Sequence, residues 1–316
     1  MTLRDLLLEI NEETRLINSP DFQVNVADGV SLPSLDDSDI TFENFDNLEK
    51  KAKVVETCVL YIDMRQSTQL SLEHKPKTLT KLYSSFIRGA IKCARQFDGK
   101  VRNIIGDRVM VLFDPKDCFK NAVNSAILLN TFSTYVLNKH FRDDLVRCGI
   151  GIDHGKMLAA KTGTVKRGTD SSEYKSLVWL GRPANVASKL CDVANKRFSR
   201  TKVQVGQYYP YIDKWHWSEH ELEEFFDSIE LTYSPPMIAQ FKEPYSNILS
   251  FFKTLASVNY SPILMTKRVY DGFRKSSPSD ESVTKRWWRP RNVHVAGYSG
   301  IVYEGSVIFK SAERLT

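Results

Sequence analysis

The sequence predicts an α+β fold with a split β-α-β core, and three observations carry that expectation. Residues 53–64 form an apolar, β-branched run that reads as a buried strand, and 146–155 reads as a further strand. Two longer segments, 76–97 and 115–139, repeat apolar residues at helical spacing. Between them, 101-VRNIIGDRVMVLF-113 sets two apolar runs on either side of Gly106-Asp107, a hairpin pattern. The order β-α-β-β-α-β is that of ferredoxin-like folds, here an antiparallel-containing sheet flanked by helices.

Each element follows from its residues. The first 20 carry acids throughout and read as an amphipathic helix, not a signal peptide. Residues 21–51 are acidic, lack a period and contain turn residues, so 1–52 form an N-terminal helix and lead-in to a main domain of 53–316. The first strand ends at Asp63. Its helix runs from Pro76 through Leu82, Phe86 and Ala90 until Asp98-Gly99 stops it, and Pro115 opens the helix after the hairpin. A polar loop, 161–181, leads to a further strand, and Pro183 opens a helix to 196 on which Asn185 and Lys189 share a face. A helical insertion is expected at about 200–260, with Ser218 and Glu221 as a capping box for 218–231 and another helix near 244–258. Strands resume at 261–270 and 292–309.

Composition narrows the class. At 316 residues and 42% hydrophobic, the chain can bury a sizeable core. No apolar run approaches the roughly 20 residues of a membrane span. The five cysteines stand singly without CxxC spacing, which suits a reducing cytoplasm. The net charge of +6 is spread along the chain and fits a polyphosphate ligand as well as nucleic acid. A cytoplasmic protein bound to neither membrane nor nucleic acid is the expectation.

The topology makes a geometric prediction. A right-handed crossover skips one sheet position, so the third strand inserts beside the first and brings Asp107 to Asp63 at one rim. Two carboxylates there repel unless a cation sits between them. Singly, each aspartate is an ordinary turn or cap residue. Together, with the backbone of 63-DMRQST-68 beside them, they suggest a magnesium–nucleotide site.

At these residues the chain resembles the class III nucleotidyl cyclases, which carry an aspartate after the first strand, a Gly-Asp hairpin and a helix with an Asn-x-x-x-Arg face. Here Asp63, Gly106-Asp107, and Asn185 with Lys189 match, over about 54–196 and more faintly over 261–309. The resemblance implies a cyclase catalytic domain with two magnesium or manganese ions held by Asp63, Asp107 and the Met64 carbonyl. It implies Asn185 and Lys189 as catalytic residues, and Arg65, Ser67 and Thr68 at the nucleotide. In this family the two residue sets come from different subunits, so a homodimer with interfacial sites is implied.

The departures are informative. Where the family has glycine the loop has Gln66, so the backbone must bend without it. Lys189 replaces arginine, keeping charge but losing the bidentate fork. The late triphosphate lysine is Ala296, which leaves Lys267 and Arg268 as substitutes to consider. Adenylate cyclases place lysine, and aspartate or threonine, where this chain has Asn103 and Val178. Asn103 either meets the N3 edge of cytosine or uracil, or simply faces outward on a strand.

Loss of the purine set, with the Asp-Met-Arg-x-Ser-Thr run, resembles the bacterial pyrimidine cyclases of anti-phage defence. That implies cyclic UMP or cyclic CMP, with uridylate favoured, and an effector partner activated by the product. Alternatives are an adenylate cyclase, a palm-type polymerase or diguanylate cyclase, and a degenerate domain that only binds nucleotide. The H-x-x-E-H match at 216–220 is interrupted by Ser218, and 285-KRWWRPR-291 reads as a solvated basic loop.

Overall fold

A computed structural model of the protein describes residues 2–141, 146–163, 175–228, 231–234, 238–241 and 248–311. The chain divides into two compact units, one of Met1–Asn195 with Ser261–Thr316 and one of Lys196–Tyr260.

The first unit runs α1 (Leu3–Ile17), β1 (Gln23–Asp28), β2 (Glu49–Met64), α2 (Ser67–Glu73), α3 (Pro76–Gln96), β3 (Gly99–Ile105) and β4 (Arg108–Phe113). It continues with α4 (Cys118–Thr131), a π-helical turn (Phe132–Leu137), α5 (Asn138–His140), β5 (Cys148–Gly163), β6 (Lys175–Leu180) and α6 (Arg182–Val193). The second unit holds β7 (Arg197–Tyr209), β8 (Lys214–Glu221), α7 (Leu222–Ser228), β9 (Leu231–Ser234), β10 (Ile238–Phe241) and β11 (Ile248–Asn259). The first unit then resumes with β12 (Ile263–Thr266), α8 (Lys267–Ser276), α9 (Glu281–Thr284), β13 (Arg289–Val295) and β14 (Tyr298–Gly305).

The large sheet has the order β13-β14-β12-β5-β2-β4-β3, with β1 on β2 and β6 on β5. Its β5-β2-β4-β3 portion is antiparallel throughout, the split β-α-β arrangement with β4 beside β2. Alternate residues of β2 serve two cores, because strand side chains alternate. Cys58, Leu60, Ile62 and Met64 pack with Phe86 and Ala90 of α3 and Ala122 and Val123 of α4. Val55, Val59 and Tyr61 pack with Met110, Met157 and, on α6, Ala184 and Ala187. Helix α6 lies so close that a Cβ on Gly151 of β5 would meet the Ala187 carbonyl oxygen at 2.1 Å. Each fully buried aliphatic or aromatic side chain in these layers contributes about 1.5–3 kcal/mol.

Several expected elements take another form. The lead-in contains β1, which pairs in parallel with the start of β2 from Gln23↔Glu49 to Asp28↔Val54. The strand expected at 261–270 ends at Thr266, where the polar pattern KRVYDGFRKS turns into α8 and buries Val269, Tyr270 and Phe273. The insertion is built of strands rather than being helical. Ser218 does not cap a helix but lies within β8, opposite Val205, and the short α7 starts only at Leu222. Alternating Trp215 and Trp217, stacked at 5.7 Å with Tyr208 and Phe252 beside them, hold the strand form. Residues 248–258, expected as helix, form β11 against β7, while 229–230 and 244–247 lie outside the described residues, as do 164–174 of the polar loop. Among the described residues no helix is long and apolar enough to cross a membrane.

Candidate active site

The hairpin between β3 and β4 has a two-residue turn whose first position, Gly106, takes φ +61°, a conformation glycine adopts without strain. Ile62 of β2 stands opposite Val109 of β4, so Asp63 and the turn share a rim. The Asp107 carboxyl is held above its usual range, first by burial and then by the neighbouring charge of Asp63. Its Oδ2 is buried and has no hydrogen-bond partner. An orphaned carboxylate oxygen facing a second carboxylate fits a divalent cation such as magnesium or manganese, which would neutralise the repulsion and accept the free lone pair.

Arginines already hold the other acid. Arg108 donates to Asp63 Oδ2 at 2.7 Å, to Ser188 Oγ at 3.0 Å and to Asp192, tying the rim to α6. Arg65 is buried, and its guanidinium donates to the carbonyl oxygens of Ala194, at 2.8 Å, and of Cys191. A cation there completes the carbonyl end of α6 and lies 3.7 Å from Asp63. Arg65 therefore braces the acid, its guanidinium turned to the backbone carbonyls of α6 and its end. Neither Arg108 nor Asp192 was singled out by sequence reasoning, although Arg108 directly follows the hairpin aspartate.

The loop after Asp63 bends at Gln66, which takes the left-handed φ of 59° that glycine would otherwise supply. That turn starts α2, setting the Ser67 hydroxyl toward Asp107 while Thr68 stays exposed. The Met64 side chain is buried in the core, leaving only its backbone for a ligand.

On α6, Asn185 and Lys189 are both exposed and line a recess with Arg182, Ser188, Ala296 and Gly297. Lys267 and Arg268 are engaged elsewhere, paired with Asp271 and Glu56. Arg182 lines this recess together with Ala296. Its Nε donates to the Gly297 carbonyl at 3.0 Å and its guanidinium lies 5.7 Å from the Tyr298 ring centre.

Asn103 is exposed on β3, opposite Met110, just after a bulge that displaces Arg102. Val178 is half-buried on β6, opposite Ala160. Their sequence neighbours meet, with Arg102 lying 5.6 Å over the Trp179 ring. The Arg102 Nε is buried without a partner.

Residues 49–208 match the family described as the adenylate and guanylate cyclase catalytic domain. A uridylate cyclase of Gulbenkiania mobilis is 29% identical over 53% of this chain and 64% of its own length. A uridylate cyclase of Burkholderia cepacia is 29% identical over 49% of this chain and 66% of its own. The chain thus spans less than two thirds of either relative. A cytidylate cyclase of Staphylococcus aureus is 32% identical over 36% of this chain and 29% of its own length. Among solved structures, a bacterial light-regulated adenylyl cyclase superposes with a TM-score of 0.50 at 13% identity, over 84% of this chain and 57% of that one, a likeness of fold.

Proposed function

Because the chain belongs to the adenylate and guanylate cyclase catalytic domain family, we propose that it converts a pyrimidine nucleoside triphosphate, UTP in preference to CTP, to the 3′,5′-cyclic monophosphate. The 3′-oxygen attacks the α-phosphorus in line, the P–O bond to pyrophosphate breaks, and the hydroxyl proton leaves to solvent. The observation that carries this reading is the acid pair, with its unpartnered Asp107 oxygen beside Asp63.

Asp63, Asp107 and the Met64 carbonyl would hold two magnesium or manganese ions. When bound, these supply a lowered pKa for the attacking hydroxyl and neutralisation of the departing phosphates. The remaining work belongs to side chains. Asn185 orients the ribose, and Lys189 meets charge developing on the α-phosphoryl group. Arg182 takes the triphosphate role that Ala296 cannot fill, from the recess it shares with Asn185 and Lys189. Asn103 offers an amide to the pyrimidine N3 edge, where a lysine would select purine. The Asn185/Lys189 set of one protomer completes the acid rim of its partner in a homodimer, which makes each site interfacial. The product acts in the cytoplasm as a signal to an effector in anti-phage defence.

The test gives the purified protein each of the four ribonucleoside triphosphates with magnesium or manganese and separates the products. Cyclic UMP is expected to dominate, and cyclic AMP as the main product would refute the base assignment. A second reading, a domain that binds nucleotide without turnover, is favoured by the grip of Arg108 on Asp63. Tight magnesium-dependent binding with no pyrophosphate release would select it.

A further inference from the structure

On the face of β2 away from the acids lies a second group of metal-ligating side chains. Cys58 stands directly opposite His154 across the β2–β5 ladder, so both point to the same side of the sheet. Cys118, the first residue of α4, lies close to both. The two sulfurs and a ring nitrogen all lie within 4.8 Å of one another. Tetrahedral zinc, with bonds of about 2.3 Å to sulfur and 2.0 Å to nitrogen, needs neighbouring donors roughly 3.5–4 Å apart, a small closure from this arrangement.

The surroundings combine close burial with an unsatisfied ring nitrogen. Exposure is 0% for Cys58, 2% for Cys118 and 6% for His154, yet the His154 Nδ1 has no hydrogen-bond partner. The ring is held in place by stacking on Phe119 at 4.3 Å. Glu56 lies 3.8 Å from Nδ1, too long for a hydrogen bond, and is itself held by Arg268. A carboxylate in that position is the usual outer partner of a metal-bound histidine. Hydrogen bonding with Cys58 and with His154 draws the Cys118 thiol down against burial, while burial pushes the Cys58 thiol well up.

We propose that Cys58, Cys118 and His154 bind one zinc ion through both sulfurs and the histidine Nε2, with water in the fourth position. Two thiolates, a neutral imidazole and a divalent ion sum to zero charge, which a buried site tolerates where a bare thiolate is costly. The thiolates favour zinc over magnesium or calcium, which prefer oxygen. Binding releases the two thiol protons to solvent, and no oxidant or reductant is needed. Ligation through Nε2 leaves Nδ1–H toward Glu56, 3.8 Å away.

The test uses the full chain, reduced and stripped of metal, titrated with zinc alone against a chromophoric chelator and with cobalt for its thiolate charge-transfer band. Wild type is expected to take up about one zinc per chain. The Cys118→Ser variant should lose zinc binding by at least about 10-fold, while Cys93→Ser, at a buried cysteine outside the cluster, keeps it. Should Cys118→Ser not fold, the cobalt band of the wild type decides. No band in the wild type, or undiminished zinc in Cys118→Ser, overturns the proposal and leaves a hydrogen-bonded thiol–imidazole cluster.

Discussion

On a single strand, Cys58 looks into the layer of α3 and α4 while Asp63 looks toward α6, and the two environments differ in every respect that matters to a cation. Around Asp63 the donors are oxygens, partly open to solvent, and arginines compete for them. Around Cys58 the donors are sulfur and nitrogen, closed from solvent, with no lysine or arginine among the ligating trio. Hard, exchangeable ions suit the first setting and a soft, retained ion the second. Strand alternation alone separates them, so one β-strand carries two chemistries without their interfering.

The largest expected effect breaks the rim and spares the interior. Asp63→Ala or Asp107→Ala should lower cyclic nucleotide formation by several kcal/mol of barrier, on the order of 1000-fold, while the oligomeric state read by sedimentation and the zinc content stay unchanged. Undiminished product from either variant would remove the metal assignment. The converse perturbation comes next in size. A thiol-competing chelator should cost about 4 kcal/mol of stability if zinc stands near 1,000 times its dissociation constant, and Cys118→Ser at least about 1.4 kcal/mol of it, read as a fall in Tm. Magnesium dependence of turnover in the surviving folded fraction should not move.

A smaller effect sharpens the role of Arg108, which bonds the same Asp63 oxygen that a cation would use. A hydrogen bond between charged groups contributes about 1.5–3 kcal/mol. Arg108→Gln should therefore lower the magnesium needed for half-maximal nucleotide binding by about 10-fold, measured by calorimetry. Unchanged magnesium affinity would mean the arginine yields its place at no cost. The variant also cuts the link to Ser188 and Asp192, so its thermal stability should fall in parallel.

What could be read in the sequence divides along the same line. The acid rim was legible because strand ends and a Gly-Asp turn are local signals, and because β-α-β-β-α-β order dictates which strands become neighbours. The cysteine cluster was not, since Cys58, Cys118 and His154 meet only through the register of β2 against β5 and the docking of α4. Single cysteines in apolar runs look like ordinary core residues. The embrace of Arg65 by the end of α6 is likewise tertiary, with both carbonyl partners distant in sequence. In the second unit a real local signal lost to a stronger one. The Ser218–Glu221 cap pattern was overridden by aromatic residues alternating along β8, whose ring contacts with each other and with Tyr208 and Phe252 on other strands reward the extended form. β1 escaped notice because all six of its residues are exposed, so it lacks the apolar face that marks a strand.

The smallest expected effect compares two aspartates that bracket β4. Asp114, after the strand, is buried enough to be raised, but the Leu32 N–H at 2.8 Å and the Lys100 ammonium at 2.7 Å outweigh burial and hold its carboxyl below the usual range. Asp107, before the strand, has an orphaned oxygen and an acid neighbour, and is held above that range. The signs follow. Stability from Asp114 is present above the unfolded value of 3.8 and is lost as pH falls through its lower folded value. Stability from Asp107 in the metal-free protein is present below 3.8 and is lost as pH rises through its higher folded value. At neutral pH, then, Asp114→Asn should lower stability and Asp107→Asn should raise it without metal, each by about 1 kcal/mol or less because both sites are partly screened by solvent, read as shifts in Tm. The Asp107→Asn gain should shrink as pH falls through the raised folded value, since protonation of the wild type removes the repulsion that the variant removes. A gain that persisted in strong acid would mean that Asp107 is not under strain from Asp63, and the physical case for a cation at the rim would rest on the unpartnered oxygen alone.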